Sequence, residues 1–309
     1  MTTQAKIEQL QLLIQSSLTF LVNRDYWLLE VPYYTNVGDT LIWQGELDFL
    51  RKLPYRCKGM RSYDTTIPSD IDANDIILLQ GGGNLGDLWD LPQTYRLNVI
   101  KKYPNNKIVI FPQTVYWQDK EKMHACAAII AQAKNLTICA RDQQSYEILK
   151  ANFSNNILLV PDMAFCIDTS RWEKPVVTKE ILLLNRNDKE SKQYLELDIL
   201  ASHKEVTVTD WLSFTDECWQ KKWFRRTQKY VPALYNWYAK TIFRPYMLNS
   251  GIQLIGSHKK VYSTRLHAAI LSILLDKAAD LTWFDNSYGK NSNFYDTWLR
   301  DVDGITFIR

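Results

Sequence analysis

The chain has 309 residues, room for roughly two domains at about 150 residues each, and 46% of it is hydrophobic, enough for two cores. Its 37 lysines and arginines stand against 34 aspartates and glutamates, and the resulting charge of +3 excludes the strongly basic face of a dedicated nucleic-acid binder. Cys57, Cys126, Cys139, Cys166 and Cys218 are odd in number, widely spaced and without a C-x-x-C pair, so neither a disulfide framework nor a thiolate zinc site is expected; a reducing cytosol fits.

At the N-terminus Ile7, Leu10, Ile14, Leu18 and Leu21 recur at helical spacing, with polar residues between them and no cleavage site after, which predicts a docking helix and not a signal peptide. A buried strand over Trp27 to Val31, a loop from Pro32 to Val37 and a helix opening at Gly38-Asp39 follow, with Asp39 placed like an N-cap. The alternation continues as strand Ile76 to Leu79, helix Gln93 to Lys102, strand Lys107 to Phe111, helix Lys120 to Ala133, strand Leu136 to Ala140, helix Gln143 to Ala151 and strand Ile157 to Val160. After an aperiodic stretch, Thr169 to Thr178, come strand Glu180 to Leu184, strand Glu205 to Val208, a long helical stretch to about Asn249, strand Lys260 to Tyr262, a helix to Leu275 and a terminal helix over Phe294 to Leu299. This order predicts an α/β fold of parallel sheets with helices on both faces. We expect two Rossmann-like lobes, residues 1–168 and 169–309, with a cleft between them and a terminal helix able to cross back. No uncharged apolar stretch approaches the 18 or so residues of a membrane span, so a cytoplasmic protein is expected, at most peripheral at the inner face of the membrane.

Arg265-Leu266-His267 sets a permanent cation and a titratable imidazole two positions apart at a strand-to-helix corner, where outward N–H groups and the helix dipole favour an anion. The alternative is an ion pair for Arg265 and a packing role for His267. Gln80-Gly81-Gly82-Gly83-Asn84-Leu85-Gly86-Asp87 follows a buried strand directly; its glycines can let backbone amides approach a ligand, or can simply make a tight turn. It is neither a dinucleotide fingerprint nor a P-loop. Arg141, at the end of another strand beside Asp142, suits a ligand or an ion pair with Asp162 or Asp142.

Together with Asn36-Val37-Gly38-Asp39, Phe111-Pro112-Gln113-Thr114, Pro161-Asp162-Met163-Ala164 and Asn286-Ser287-Tyr288-Gly289-Lys290-Asn291, these segments resemble, in order and spacing, the polysaccharide pyruvyl transferases. The resemblance implies transfer of pyruvate from phosphoenolpyruvate to two hydroxyls of one sugar as a cyclic ketal, in the biosynthesis of bacterial surface polysaccharide such as capsule or exopolysaccharide, on a GT-B-like fold. It assigns Arg141, Arg265, Leu266 and His267 to the donor site. Phosphoenolpyruvate carries a carboxylate and a phosphate of about −1.5 to −2, and Arg141 and Arg265 are expected to clamp it.

The candidate catalytic residues are therefore His267, Arg265, Arg141 and Asp39, with Gly38, Gly82, Gly83, Asn84, Asp87, Gln113, Leu266, Lys290 and Asn291 as candidate substrate contacts. His267 is the choice for phosphate contact and proton transfer; Asp39 and Asp87 are bases or plain helix caps. No cofactor is implied beyond phosphoenolpyruvate as co-substrate, and no metal, because His124, His203 and His258 lack ligand-spaced partners.

Cys218 to Met247 holds seven basic residues, nine aromatics and no acidic residue. It suits either a membrane interface presenting a lipid-linked sugar or a helical pair packed on the second lobe. The acceptor can be carried on a nucleotide, a lipid or a glycan. A GT-B nucleotide-sugar glycosyltransferase is the competing reading, and a non-catalytic binding module is a third; the first needs a ribose-reading carboxylate that the second half does not display.

Overall fold

The computed structural model describes residues 1–185, 205–211, 227, 231–286 and 288–309. They form two compact units. The first unit comprises Gln9–Tyr33 and Ile42–Ile167; the second comprises Met1–Glu8, Tyr34–Leu41 and Asp168–Arg309.

The first unit is built on strands β1 (Tyr26–Leu29), β2 (Cys57–Arg61), β3 (Ile76–Leu79), β4 (Gly82–Gly86), β5 (Lys107–Tyr116), β6 (Leu136–Ala140) and β7 (Asn156–Leu159). They pair in parallel in the order β2-β1-β3-β5-β6-β7, with β4 also on β5. Every residue of β1, β3 and β6 is buried, which is why these strands read as continuous apolar runs. Helices α3 (Asp90–Lys102), α4 (Lys120–Ile130) and α5 (Gln143–Asn152), with the greater part of α1 (Thr3–Leu18) and α2 (Val37–Leu50), go with them. Val99, Ile100, Met123, Ile130 and Leu149 from α3 to α5 close the core over Ile77, Leu79, Ile108 and Ile138, each side chain contributing about 1.5–3 kcal/mol on burial.

The second unit carries β8 (Lys179–Leu184), β9 (Val206–Thr209), β10 (His258–Ser263), β11 (Leu281–Phe284) and β12 (Thr306–Ile308), parallel in the order β9-β8-β10-β11-β12. With them go α6 (Pro232–Tyr238), α7 (Arg244–Gly256), α8 (Leu266–Leu274) and the short α9 (Lys290–Phe294). Both sheets thus begin with the same doubly wound order, in which the second strand lies outside the first and the third on its other side. The switch points fall between β1 and β3 and between β8 and β10, the places where such sheets bind ligands.

The α/β architecture with parallel sheets and flanking helices agrees with the alternation in the sequence. Several elements differ. β2 was not expected, because Cys57–Arg61 is an edge strand with two cations and a glycine, and only Met60 of it is buried. The glycine run is no turn. After Leu79 the chain passes Gln80 and Gly81 and resumes as β4 alongside an elongated β5, which continues through Pro112 to Tyr116. Gly82 (φ 138°) and Gly86 (φ 153°) need glycine for this path, and a Cβ at Gly86 would stand 1.9 Å from the Tyr116 carbonyl oxygen. β11 and β12 also went unrecognised, and the chain ends on a strand, not a helix. The expected terminal helix over Phe294 to Leu299 is a π-helical turn, Tyr295–Leu299, continuing α9. The N-terminus belongs to the second unit: its amino group donates to the Asp301 carbonyl at 2.8 Å, and Lys6 pairs with Asp301 at 2.7 Å.

Candidate active site

In the second unit the corner between β10 and α8 is built from backbone outward. Ser263 ends β10 opposite Leu184 of β8; its hydroxyl donates to the Leu184 carbonyl and accepts from the Arg265 amide, both at 3.0 Å. Asn291 donates through one amide nitrogen to the carbonyls of Thr264 (2.7 Å) and Phe284 (2.8 Å), tying the ends of β10 and β11 together. Arg265 then occupies the N-cap position in extended conformation, and α8 begins with Leu266. Because α8 is apolar around nearly its whole circumference, the helix is locked inside the unit and its N-terminus is a rigid platform.

The Arg265 guanidinium is buried and grips Asp210 with two nitrogens: Nε donates to Oδ1, and Nη2 to Oδ2 at 2.5 Å. Asp210 follows β9 directly, so this pair passes over the carboxyl end of β8, at the switch point. Asp210 was absent from the sequence-derived candidates. The signal that could have found it is positional: it stands at the end of its strand as Asp162 stands near the end of β7.

His267, half-buried in the first turn of α8, lies against Gly38, 229 positions earlier in the chain. A Cβ on Gly38 would sit 2.6 Å from Nδ1 of the imidazole, so only glycine admits the ring there. The first turn of α2 is pinned by a similar fit, since Gly251 of α7 leaves room for Val37. Asp39 does not cap α2 as its position suggested. The cap is Asn36, whose side-chain oxygen accepts from the Asp39 amide at 3.3 Å and whose carbonyl accepts from the Thr40 amide at 3.1 Å. The Asp39 carboxylate instead accepts from Tyr34 Oη at 2.9 Å and Asn36 Nδ2 at 2.8 Å. Leu266 is buried, and the Lys290 amide bonds the Asn286 side chain at 2.9 Å.

In the first unit Arg141 follows β6 with its side chain fully buried. Nη1 pairs with Asp162 at 2.7 Å and Nε donates to the Thr114 hydroxyl at 2.8 Å, which itself donates to Asp142 at 2.6 Å. Asp142 caps α5 through the Ser145 amide, and Asp162 caps the turn at Ala164. The ion pair with Asp162 is thus present. Gln113, also buried, donates to the Gln80 carbonyl at 2.6 Å and accepts from the Asn84 amide at 3.2 Å, suspending the glycine segment on β5. Gly82 is buried, while Gly83 and Asn84 are partly exposed. Asp87 accepts from the amides of Gln118 and Asp119 at 2.9–3.0 Å, pinning the loop that leads into α4.

One group at the first switch point was missed. Glu30, one residue beyond β1, is buried in left-handed backbone conformation (φ 66°) and pairs with Arg96 of α3 at 3.1 Å. Burial pushes its carboxyl up to about 7 against the pull of that arginine. The buried thiols of Cys126 and Cys166 are poor nucleophile candidates: burial pushes the first up to about 11 and the second up to about 12.

A strand-end arginine, an imidazole seated on a glycine and the first turn of α8 thus meet at one corner of the second unit. The chain belongs to the polysaccharide pyruvyl transferase family, whose model matches residues 36–279. It is 33% identical over 300 residues to the Bacillus subtilis protein EpsO, described as a candidate pyruvyl transferase, covering 91% of this chain and 87% of that one. Pyruvyl transferase 1 of Schizosaccharomyces pombe is 26% identical, over 96% of this chain and 77% of its own. A crystal structure of an uncharacterized Klebsiella pneumoniae protein shares the fold, with a TM-score of 0.66 at 20% identity over 97% of this chain and 98% of that one.

Proposed function

We propose that the protein transfers pyruvate from phosphoenolpyruvate to two hydroxyls of one sugar residue, forming a cyclic ketal and releasing inorganic phosphate, during synthesis of a bacterial capsule or exopolysaccharide. Family membership supports pyruvyl transfer in polysaccharide synthesis. The observation that carries the finer reading is Arg265-Leu266-His267 at the N-terminus of α8 beside the second switch point. A phosphate and a carboxylate suit a guanidinium, an imidazole and helix amides. The enol C3 takes a proton, one sugar oxygen bonds to C2, the C2–O bond to phosphate breaks, and the neighbouring hydroxyl closes the ring as both hydroxyls lose their protons. In this scheme His267 contacts the phosphate and moves the proton, Arg265 holds donor charge, and Arg141 supplies a second cation fixed by Asp162. Asp39 is the base for a sugar hydroxyl. A GT-B-like scaffold, an acceptor on a nucleotide, lipid or glycan, and a requirement for neither metal nor cofactor belong to the same proposal.

The test is phosphate release from phosphoenolpyruvate with a panel of nucleotide-linked, lipid-linked and free sugars. His267→Ala and Arg265→Ala should each abolish release while circular dichroism stays unchanged. Near-normal turnover in both variants, or consumption of a sugar nucleotide in place of phosphoenolpyruvate, defeats the assignment.

We also propose that the basic, aromatic stretch meets an anionic membrane. No described helix is long and apolar enough to cross one. Most of the cations, Lys221, Lys222, Arg225, Arg226 and Lys229, lie outside the described residues. Within them, Val231, Leu234 and Trp237 recur every three positions and are exposed, while Tyr235, Tyr238, Phe243 and Met247 are buried, which supports an outward apolar stripe. Co-sedimentation with phosphatidylserine vesicles at low salt should fall on Trp237→Ser; absence of wild-type binding removes this reading.

A further inference from the structure

We infer that Asp210 is a positioning residue that fixes the Arg265 guanidinium over the second switch point for the donor; the inference rests on the function proposed above. Three features carry it. First, the contact is two-pronged and buried: Nε and Nη2 of Arg265 both bond Asp210, whose Oδ1 additionally accepts from the Trp211 amide at 2.7 Å. A carboxylate held at both ends this way permits the planar guanidinium one orientation, which a single contact would not. Second, the pair spans β8, linking the ends of β9 and β10 across the place where the sheet reverses its order. Third, the first unit repeats the device, with Arg141 past β6 held by Asp162 past β7.

Stability alone is a poor reason for either pair. Desolvating two charges offsets most of their attraction, and apolar residues of similar volume serve a core as well. A fixed guanidinium, by contrast, matters to a reaction in which an error of about 1 Å costs on the order of 100-fold in rate.

The experiment uses the full chain and phosphoenolpyruvate alone as the titrant in calorimetry, followed by initial rates with a productive acceptor and urea unfolding. Arg265→Ala should abolish phosphoenolpyruvate binding. Asp210→Asn should weaken it about tenfold or more and lower kcat, with the acceptor KM unchanged within twofold. Asp210→Glu, which keeps the charge and covers the case in which the amide variant does not fold, should recover part of the loss. Wild-type-like donor affinity in a folded Asp210→Asn overturns the inference, as does tighter binding, which would make Asp210 a competitor of the donor. Equal loss toward donor and acceptor with lowered stability would mark a purely structural pair and also overturns it. If Arg265→Ala leaves phosphoenolpyruvate binding intact, Arg265 has no donor to be positioned for and the inference falls alone; absence of phosphoenolpyruvate binding by the wild-type chain is instead the failure of the proposed function.

Discussion

Gly38 shows how a single missing methyl group sets a site. Its backbone hydrogen faces the imidazole of His267, and a Cβ there would approach Nδ1 to 2.6 Å, closer than any side-chain carbon packs. Gly38→Ala should therefore push the ring out of place while leaving α2 intact, alanine being the better helix former. We expect loss of phosphate release by about 100-fold with a thermal midpoint equal to or above that of the wild type; wild-type turnover would show that the position of His267 is immaterial. Gly38 stands in the sequence as a candidate substrate contact, and nothing there says that its neighbour is a histidine 229 positions away.

The connections between strands and helices are where sequence patterns and the structure part. Periodicity located α1 to α5 and the buried strands of the first unit, because each carries an apolar repeat matched to its own geometry. It passed over β11 and the three-residue β12, over β2, whose cations and glycine break the apolar run, and over β4, whose glycines signal a loop but lie along β5. Asn291 belongs to this level: from α9 it holds the carboxyl ends of β10 and β11 by their carbonyls. Asn291→Ala should leave two buried acceptors without that donor and cost about 1–3 kcal/mol in urea unfolding. A neutral result would mean that water or another donor satisfies those carbonyls.

For the molecule as a whole, two buried titratable groups bend stability with pH in opposite directions. Glu30 is pushed up to about 7 in the fold, so between its unfolded value of about 4.3 and 7 the native state holds a proton that the unfolded chain releases, and stability is lost as pH rises. Burial lowers His258, which bonds the Leu254 carbonyl, so as pH falls through about 6.5 the unfolded chain takes up a proton first and stability is lost toward acid. Each slope is at most about 1.4 kcal/mol per pH unit. Glu30→Gln removes the first, so its stability relative to the wild type, measured in urea at pH 5 and pH 7.5, should rise with pH; an unchanged difference would show that Glu30 is ionised throughout. The chain's own pattern of apolar runs and strand-end motifs decided the α/β class, the parallel sheets and the family, because each of those depends on neighbours within about ten residues or on motif order. Tertiary structure alone decided that Asp210 holds Arg265 and that Gly38 seats His267. Those contacts join residues brought together by the winding of the sheets, and a pairing of that range leaves no periodic trace in the sequence.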